Sequence, residues 1–219
     1  MSKATFIKST IAAGVIMGLA ATAQAEVSAN IGATSNYVWR GVSQSGDSAS
    51  VSGGIDYAND SGFYAGTWVG SLGEGSGGET DFYLGFGGEA GSVGYDVGYI
   101  YYAYTEFDDI DFGEIYGSIS VAGFDLGLAY TVNNGSANDG GAFVSGDMYY
   151  SVGYGFDLSE DYSLGLTVGH YAFDEASDGD YTHFQADIAT GDFTFSISKA
   201  QEESGDDDVK FIVSWGTSF

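Results

Sequence analysis

The chain has 219 residues, with 36 glycines, no proline and no cysteine, and its formal net charge is −26. Such acidity excludes nucleic acid as a partner, because phosphates are bound by clusters of Lys and Arg. The lack of Cys excludes disulfides and thiol chemistry, and an aromatic content of 16% argues against disorder.

Residues 1–25 have the pattern of a secretory signal peptide. Lys3 and Lys8 give a positive start, residues 11–21 are largely apolar, and Ala23-Gln24-Ala25 fits a small-x-small cleavage pattern. A membrane anchor is the alternative, but the apolar run is shorter than the ~20 residues that span a bilayer. We predict an exported protein that is cleaved after Ala25, with residues 26–219 forming one domain.

Apolar and polar residues alternate with period two along the remaining chain, which indicates β-strands. The segment 63–72 is apolar on both parities, so the pattern does not assign its faces. No stretch reaches 18 consecutive apolar residues, which excludes helical membrane spans. Twelve strands are predicted, near 27–40, 50–57, 63–72, 79–86, 93–102, 114–121, 124–133, 147–154, 163–171, 183–188, 193–198 and 209–219.

The last of these segments ends the chain on an aromatic residue. Val209, Phe211, Val213 and Trp215 share one parity, so one face of the strand is apolar. An unpaired apolar edge invites aggregation. We therefore expect 209–219 to pair with the first strand, 27–40, and to close a barrel.

The predicted connections alternate in length. Short turns fall near 59–61, 89–91, 122–123, 157–161 and 190–191, and long polar loops near 41–48, 71–78, 105–111, 133–141, 174–180 and 200–208. Outer-membrane barrels show this alternation, whereas a Greek-key sandwich has no reason to. The all-β fold predicted is a closed antiparallel transmembrane β-barrel of about 12 strands, with short periplasmic turns and longer acidic extracellular loops. A water-soluble sandwich with an aromatic core is the alternative.

Trp39 and Trp215 fall near the outer end of strand one and the end of strand twelve. Under this topology we expect them at opposite membrane interfaces, where an aromatic ring with a polar group is favoured.

The polar parity of the strands would face the lumen of the barrel. Charged rings set the ion preference of a pore, and these carboxylates outnumber the single arginine, so we predict that the lumen favours cations. Alternatively the same groups pair with one another and with the tyrosines and plug a barrel of intermediate width. The candidate pore-lining residues are Asn36, Arg40, Asp56, Glu79, Asp81, Tyr83, Asp96, Tyr102, Glu114, Tyr116 and Asp187.

Arg40 is the only arginine in the chain. It could form a constriction that grips a carboxylate-bearing solute through two hydrogen bonds. It could instead be a structural partner of lumen acids such as Glu79 or Asp81.

The long loops carry clusters of acidic residues. No cofactor is predicted, but loosely bound Ca²⁺ or Mg²⁺ could bridge these carboxylates to lipopolysaccharide phosphates. The clusters lack the spacing of a defined calcium loop, so a simply solvated surface is the alternative. They comprise Glu106, Asp108, Asp109 and Asp111, then Asp174, Glu175, Asp178 and Asp180, then Glu202, Glu203, Asp206, Asp207 and Asp208.

Catalysis by a Ser/His pair needs a base that contacts the nucleophile and a third group that orients it. The chain offers His170 and His183, but no G-x-S-x-G motif. We predict that the protein is not an enzyme.

Several motifs resemble those of the TorF-type porin family, a proteobacterial group of conserved hypothetical proteins. They are the run Ser35-Asn36-Tyr37-Val38-Trp39-Arg40-Gly41-Val42-Ser43-Gln44, the segments 62–68 and 95–102, Glu79-x-Asp81-x-Tyr83, and Gly169-His170-Tyr171. The resemblance implies a barrel in the outer membrane of a Gram-negative bacterium that acts as a pore, without naming a substrate. It also implies that the C-terminal Phe219 is recognised by the barrel assembly machinery.

From these patterns we predict a porin-like diffusion channel for small solutes or ions, in contact with outer-membrane lipid and lipopolysaccharide. A different class remains open: a non-conducting barrel with a structural or envelope-binding role through its acidic loops.

Overall fold

The computed structural model describes residues 26–107 and 109–219. The predicted signal peptide and its cleavage site after Ala25 lie outside the described residues, as does Asp108. Twelve antiparallel strands close into a barrel. They are β1 (Glu26–Thr34), β4 (Ser50–Ala58), β5 (Phe63–Ser71), β6 (Gly78–Ala90), β7 (Val93–Tyr104), β8 (Phe112–Val121), β9 (Phe124–Asn134), β10 (Met148–Asp157), β11 (Ser163–Ala172), β12 (Tyr181–Thr190), β13 (Phe193–Ala200) and β14 (Lys210–Ser218).

The last strand closes the barrel against the first, as the sequence predicted. The register of β1 and β14 runs from Asn30 opposite Ser218 to Thr34 opposite Ser214. The backbones of Ala29 and Phe219 exchange two hydrogen bonds of 2.9 Å beyond that register. The closed ladder therefore leaves neither terminal strand with an open edge.

The connections confirm the predicted alternation of short turns and long loops. Short turns at 59–62, 91–92, 122–123, 158–162 and 191–192 lie at one end of the barrel, here called the turn end. The longer connections lie at the opposite end, the loop end, and three of them contain 3₁₀ helices at Ser136–Asn138, Ser177–Gly179 and Glu202–Ser204.

Side chains alternate between the two faces of every barrel strand. The outward face is apolar and exposed, as at Phe82 (54%), Leu126 (48%) and Phe211 (74%). In β5 Val69 points outward, whereas Tyr64 is buried inside, which assigns the faces that the sequence pattern did not. The strands therefore form a tube with an apolar outer surface. No helix among the described residues is long and apolar enough to cross a membrane.

The first predicted strand, 27–40, is wrong in its second half. Strand β1 ends at Thr34, and the chain then turns into the barrel as a hairpin of β2 (Val38–Trp39) and β3 (Val42–Ser43). Arg40 and Gly41 connect them with φ of +48° and +87°, the backbone that a two-residue type I′ hairpin turn requires. Residues 38–43 are called the Arg40 hairpin below.

The inward turn also overturns the predicted position of Trp39. Its ring is only 8% exposed and lies inside the barrel, not at a membrane interface. Trp215 lies on the outward parity of β14 beside Phe193, close to the last turn. A period-two pattern continued across Ser35 and Asn36 because it cannot distinguish a strand from the hairpin that follows it.

Candidate functional site in the barrel lumen

The segment around the Arg40 hairpin is held by its own hydrogen bonds. The Gln44 backbone N–H donates to the Tyr37 carbonyl at 2.6 Å. The Tyr37 N–H donates to Ser45 Oγ at 2.8 Å, and the Ser43 hydroxyl donates to Asn36 Oδ1 at 2.6 Å. The hairpin forms a two-stranded sheet of its own, separate from the barrel ladder. It is therefore a separate unit that contacts the wall through side chains and isolated hydrogen bonds.

The Arg40 guanidinium lies in the loop-end half of the lumen against Glu114 of β8. Nη1 and Nη2 each donate to one Glu114 oxygen at 2.7 Å, so the pair is bidentate. Arg40 Cζ lies 4.2 Å from the centre of the Tyr149 ring and 5.1 Å from that of Tyr171, within the range of cation–π attraction. Trp39 of the hairpin adds a third ring at 4.1 Å. The guanidinium is thus enclosed by a carboxylate and three aromatic faces.

Glu114 is itself held by the wall. The hydroxyls of Tyr102 and Tyr171 donate to its two oxygens at 3.2 and 3.3 Å. The Glu114 side chain is 1% exposed, and a buried carboxylate needs such donors to offset the loss of water. Glu114, Tyr149 and Tyr171, called the wall cage below, come from the three strands β8, β10 and β11.

Trp39 is packed into an aromatic cluster. Its ring centre lies 5.6 Å from that of Tyr102 and 5.8 Å from that of Phe143, which belongs to the loop between β9 and β10. Phe112 stacks on Tyr102 at 4.5 Å and on Phe143 at 4.9 Å. Such contacts stabilise beyond the area that they bury, so the hairpin fills the loop end of the lumen.

The turn of the hairpin fits closely against β12. A Cβ on Gly41 would lie 2.5 Å from Cβ of His183, closer than two carbons can approach. The Tyr181 hydroxyl donates to the Arg40 carbonyl at 3.0 Å. Glycine at position 41 is therefore required both by the turn and by the wall.

A second polar network lies further along β4 to β8. The Tyr64 hydroxyl is 2.8 Å from Asp96 Oδ1 and 2.6 Å from the Tyr116 hydroxyl. The Tyr83 hydroxyl donates to Asp56, whose other oxygen accepts from Asn30 Nδ2 at 3.0 Å. On this side of the lumen, carboxylates accept hydrogen bonds from tyrosine hydroxyls. This pairing of acids with tyrosines is the one expected in the alternative of a plugged barrel.

These tyrosines lie along the wall because glycines face them across the strands. Gly66 pairs with Tyr83 and Gly85 with Tyr64, and a Cβ on either glycine would collide with the ring opposite. Gly98 is related to Tyr116 in the same way. These glycines therefore have a structural use, since they let large rings lie against the wall.

Glu79 and Asp81 are the most buried acids of β6, at 3% and 6% exposure. Glu79 accepts from the Tyr37 hydroxyl at 2.7 Å, whereas Asp81 Oδ1 has no hydrogen-bond partner. Neither acid pairs with Arg40, whose partner is Glu114, another of the candidate lumen acids. The reason is the hairpin, which carries Arg40 across the lumen to β8.

The two ends of the lumen differ in how tightly they are filled. On β8 alone, Phe112 and Glu114 are each 1% exposed at the loop end, whereas Ser118 and Ser120 are exposed toward the turn end. Inward positions near the turn end of the neighbouring strands are small or polar, as at Gly94 and Asp125. In the wall around β8, the turn-end half is therefore more open and more polar than the loop-end half.

A group of charges anchors the loops beside β14. Lys210 Nζ lies 3.0 Å from Asp47 Oδ1 and 2.6 Å from Asp206 Oδ1. Asp206 also accepts from the Ser43 backbone N–H at 2.8 Å, which ties the hairpin to the last loop. The hydrogen bond from Lys210 holds the pKa of the Asp47 carboxyl below its usual range.

Acidic residues of the long loops are engaged with backbone amides. Asp111 accepts from the Tyr104 N–H at 2.9 Å, and Asp180 accepts from the Phe173 N–H at 2.8 Å. Across residues 26–107 and 109–219, no group of three His, Cys, Asp or Glu side chains is placed to hold a metal ion. Loosely bound Ca²⁺ or Mg²⁺ at these loops stays a prediction.

Both histidines contact groups other than serine. His183 Nε2 lies 2.8 Å from the Tyr149 hydroxyl, and His170 Nδ1 lies 3.0 Å from Thr182 Oγ1. Both histidines therefore take part in hydrogen bonds between side chains of different strands.

The predicted pore-lining residues divide into two sets. Asn36 and Arg40 belong to the inserted segment, not to a strand of the wall. The others lie on the inward parity of their strands, and their lining of a conducting pore stays a prediction; they are Asp56, Glu79, Asp81, Tyr83, Asp96, Tyr102, Glu114, Tyr116 and Asp187.

Sequence reasoning missed the tyrosines that surround Arg40. Tyr149 and Tyr171 share their parity with polar neighbours, so the same alternation that selected Tyr102 could have selected them. Tyr37, which hydrogen-bonds Glu79, could not have been found in this way, because it lies outside the strands.

Solved structures share this fold at very low sequence identity. The KdgM porin matches with a TM-score of 0.54 and 8% identity, over 88% of this chain and 98% of that chain. The structure described as KdgM porin in complex with disordered oligogalacturonate matches with a TM-score of 0.53 and 7% identity, over 88% and 97%. At this identity the likeness shows the fold alone.

Sequence comparison places the chain in a family. No curated protein matches it significantly. A family model described as "Bacterial protein of unknown function (Gcw_chp)" matches residues 19–214, which is most of the chain. The chain therefore belongs to the Gcw_chp family of bacterial proteins.

Proposed function

We propose that the protein is an outer-membrane diffusion channel for small solutes or ions. The observation that carries this proposal is the closed barrel with an apolar outer face and a polar inner face. In lipid every backbone polar group must be paired, which a closed ladder achieves. An exposed apolar face that continues around all the strands is rare on water-soluble proteins. Short turns opposite long loops are typical of outer-membrane barrels.

The fold likeness to the KdgM porin supports a channel and an outer-membrane location. The resemblance to TorF-type porins agrees with both. A signal peptide cleaved after Ala25 would export the chain, and lipid and lipopolysaccharide would surround it. These assignments are part of the proposal.

The lumen chemistry supports a preference for cations. One of the similar structures holds oligogalacturonate, a polymer of carboxylates. Here the inward wall carries carboxylates such as Asp56, Asp96 and Asp187, while Arg40 is neutralised by Glu114. Like charges repel, so a polyanionic solute would be disfavoured in this barrel and small cations favoured.

Planar-bilayer recordings of the refolded protein test the proposal. We expect discrete conductance steps, and in a salt gradient a reversal potential of the sign that cation preference gives. The double variant Asp56→Asn/Asp96→Asn, which keeps the polar groups but removes two charges, should lower the preference. Conductance steps with a clear preference for anions would disprove the cation preference but would still support a channel.

A non-conducting barrel is a second candidate, favoured by the hairpin that fills the loop end of the lumen. In that case the acidic loops would bind an envelope partner or stabilise the surface. Bilayers that stay sealed at high protein loading would support this candidate against the channel.

We also propose that Phe219 is read by the barrel assembly machinery. Its ring is 76% exposed, while its backbone N–H donates to the Ala29 carbonyl at 2.9 Å. Deletion of Phe219 should therefore reduce the amount of inserted protein much more than Phe219→Ala reduces the stability of the refolded barrel. Membrane levels equal to wild type would contradict this role.

A further inference from the structure

We propose that the wall cage is a binding site for solutes that bear a guanidinium group, and that Arg40 occupies it in this structure as an internal ligand. The inference names a solute class for the proposed channel and in that respect rests on it. The binding site itself rests only on the geometry of Glu114, Tyr149 and Tyr171.

The wall cage presents the groups that a guanidinium requires. A planar cation with a fork of donors is matched by a carboxylate that accepts two parallel hydrogen bonds. Glu114 offers this geometry at 2.7 Å to both nitrogens. Tyr149 and Tyr171 offer the π faces on which the cation is attracted.

The site does not depend on the hairpin for its shape. Glu114 is oriented by the hydroxyls of Tyr102 and Tyr171, and all three belong to barrel strands. The Tyr149 hydroxyl is held by its hydrogen bond to His183 of β12. Removal of Arg40 would therefore leave an oriented carboxylate between two rings, inside the lumen.

Arg40 reaches the site on an element that can leave without opening the barrel. The Arg40 hairpin shares no ladder with the wall strands. Tyr37 and Gln44, which flank it, are already joined by a backbone hydrogen bond. The hairpin thus carries one guanidinium into the cage and could be replaced there by another.

The same geometry defines what the site rejects. An anion would meet the Glu114 carboxylate, and a neutral solute of similar shape, such as urea, would lose the charge-assisted bonds. An alkylammonium keeps the charge, but it is a compact, strongly hydrated point charge without the planar fork. We therefore expect the order methylguanidinium, then methylammonium, then urea.

The test is chemical rescue of Arg40→Ala with methylguanidinium chloride. The midpoint of thermal unfolding of the refolded barrel in detergent is followed by gel mobility. We expect millimolar methylguanidinium to raise this midpoint by about 2–4 °C, the shift given to a chain of this size by a ligand several-fold above its Kd. Arg40→Ala/Glu114→Gln is the matched control and should show no rise, as should Arg40→Ala with urea.

A second variant covers the case in which Arg40→Ala does not fold. Replacement of residues 38–43 by Asn-Gly, a favoured two-residue turn, removes the hairpin at the point where Tyr37 and Gln44 already meet. The same rescue is expected in this variant. The site would be overturned if methylguanidinium raised the unfolding midpoint equally with Glu114 and with Glu114→Gln. It would also be overturned if the midpoint rose neither in Arg40→Ala nor in the variant without the hairpin.

Current recordings separate this inference from the proposed channel. If rescue occurs and bilayers stay sealed, the site stands and the channel fails. If the channel conducts but the current through Arg40→Ala is no more sensitive to methylguanidinium than to methylammonium, the channel stands and the site fails.

Discussion

The loop-end and turn-end halves of the lumen are built from the same strands but differ in the size and burial of their inward side chains. At the loop end the inward side chains are large, aromatic and buried, with Phe112 and Glu114 each 1% exposed. At the turn end of the same strand, Ser118 and Ser120 are exposed. The barrel ladder is continuous through both halves, so the difference arises from the side chains and from the hairpin.

Around β8, tight packing at the loop end and exposed polar side chains at the turn end are therefore separated along the barrel axis. The Arg40 and Glu114 charges in the loop-end half are paired and enclosed, so their removal should act on folding. Asp125, near the turn end of β9, is only partly buried, so in the proposed channel its removal should act on ions more than on folding.

The largest effect is expected from Glu114→Gln. This change leaves Arg40 as a buried cation without its carboxylate, and breaking one side of a buried pair costs about 3–5 kcal/mol. Asp125→Asn at the turn end is the control and should cost less than about 0.5 kcal/mol. Urea unfolding of the refolded protein measures both, and equal losses would show that the two halves do not differ.

A smaller effect is expected from Gly41→Ala. The residue has φ +87° and its Cβ would collide with His183, so the hairpin would shift at a cost of about 1–3 kcal/mol. Gly191→Ala in the last turn also has positive φ, at +55°, but has open space around its Cβ. The difference in unfolding free energy between the two variants isolates the contact between hairpin and wall. If Gly191→Ala lowered the unfolding free energy as much as Gly41→Ala, the close contact between Gly41 and His183 would not contribute to stability.

The extent to which the sequence predicts this molecule follows the same division. Period-two alternation and alternating connection lengths predicted the twelve strands, because both are local properties of the chain. The closure by β14 was predicted from the apolar face of that strand, which needs a partner at its edge. The strand prediction failed after Thr34, because alternation persisted where the chain left the wall. Arg40 was recognised as unusual, but its partner Glu114 is 74 residues away. Only the fold brings those residues together.

The smallest effect concerns the loop-end rim, at Asp47. Lys210 holds the pKa of this carboxyl below its usual range, so Asp47 stabilises the fold above the ordinary Asp pKa. That contribution is lost as the pH falls through the lowered value of the folded state. Because Asp47 is 67% exposed, Asp47→Asn should cost less than about 1 kcal/mol at neutral pH.

The pH dependence of that variant gives its test. The difference in unfolding free energy between wild type and Asp47→Asn should vanish in acid and shrink in high salt. Asp206→Asn is the comparison, since that carboxylate is less exposed, at 23%, and closer to Lys210, at 2.6 Å; its loss should be larger. If the difference in unfolding free energy between wild type and Asp47→Asn persisted in acid, the effect would come from packing and not from charge.

The Arg40 hairpin also sets an order of assembly. Its partners Glu114, Tyr149, Tyr171 and Tyr181 lie on four different strands, β8, β10, β11 and β12, and the last is 141 residues from Arg40. Such distant contacts form late, because the chain between them must be ordered first. The cage exists only once those strands have joined, so we expect the hairpin to dock after most of the barrel has formed. Because the hairpin shares no ladder with the wall, we then expect it to undock before the barrel unfolds.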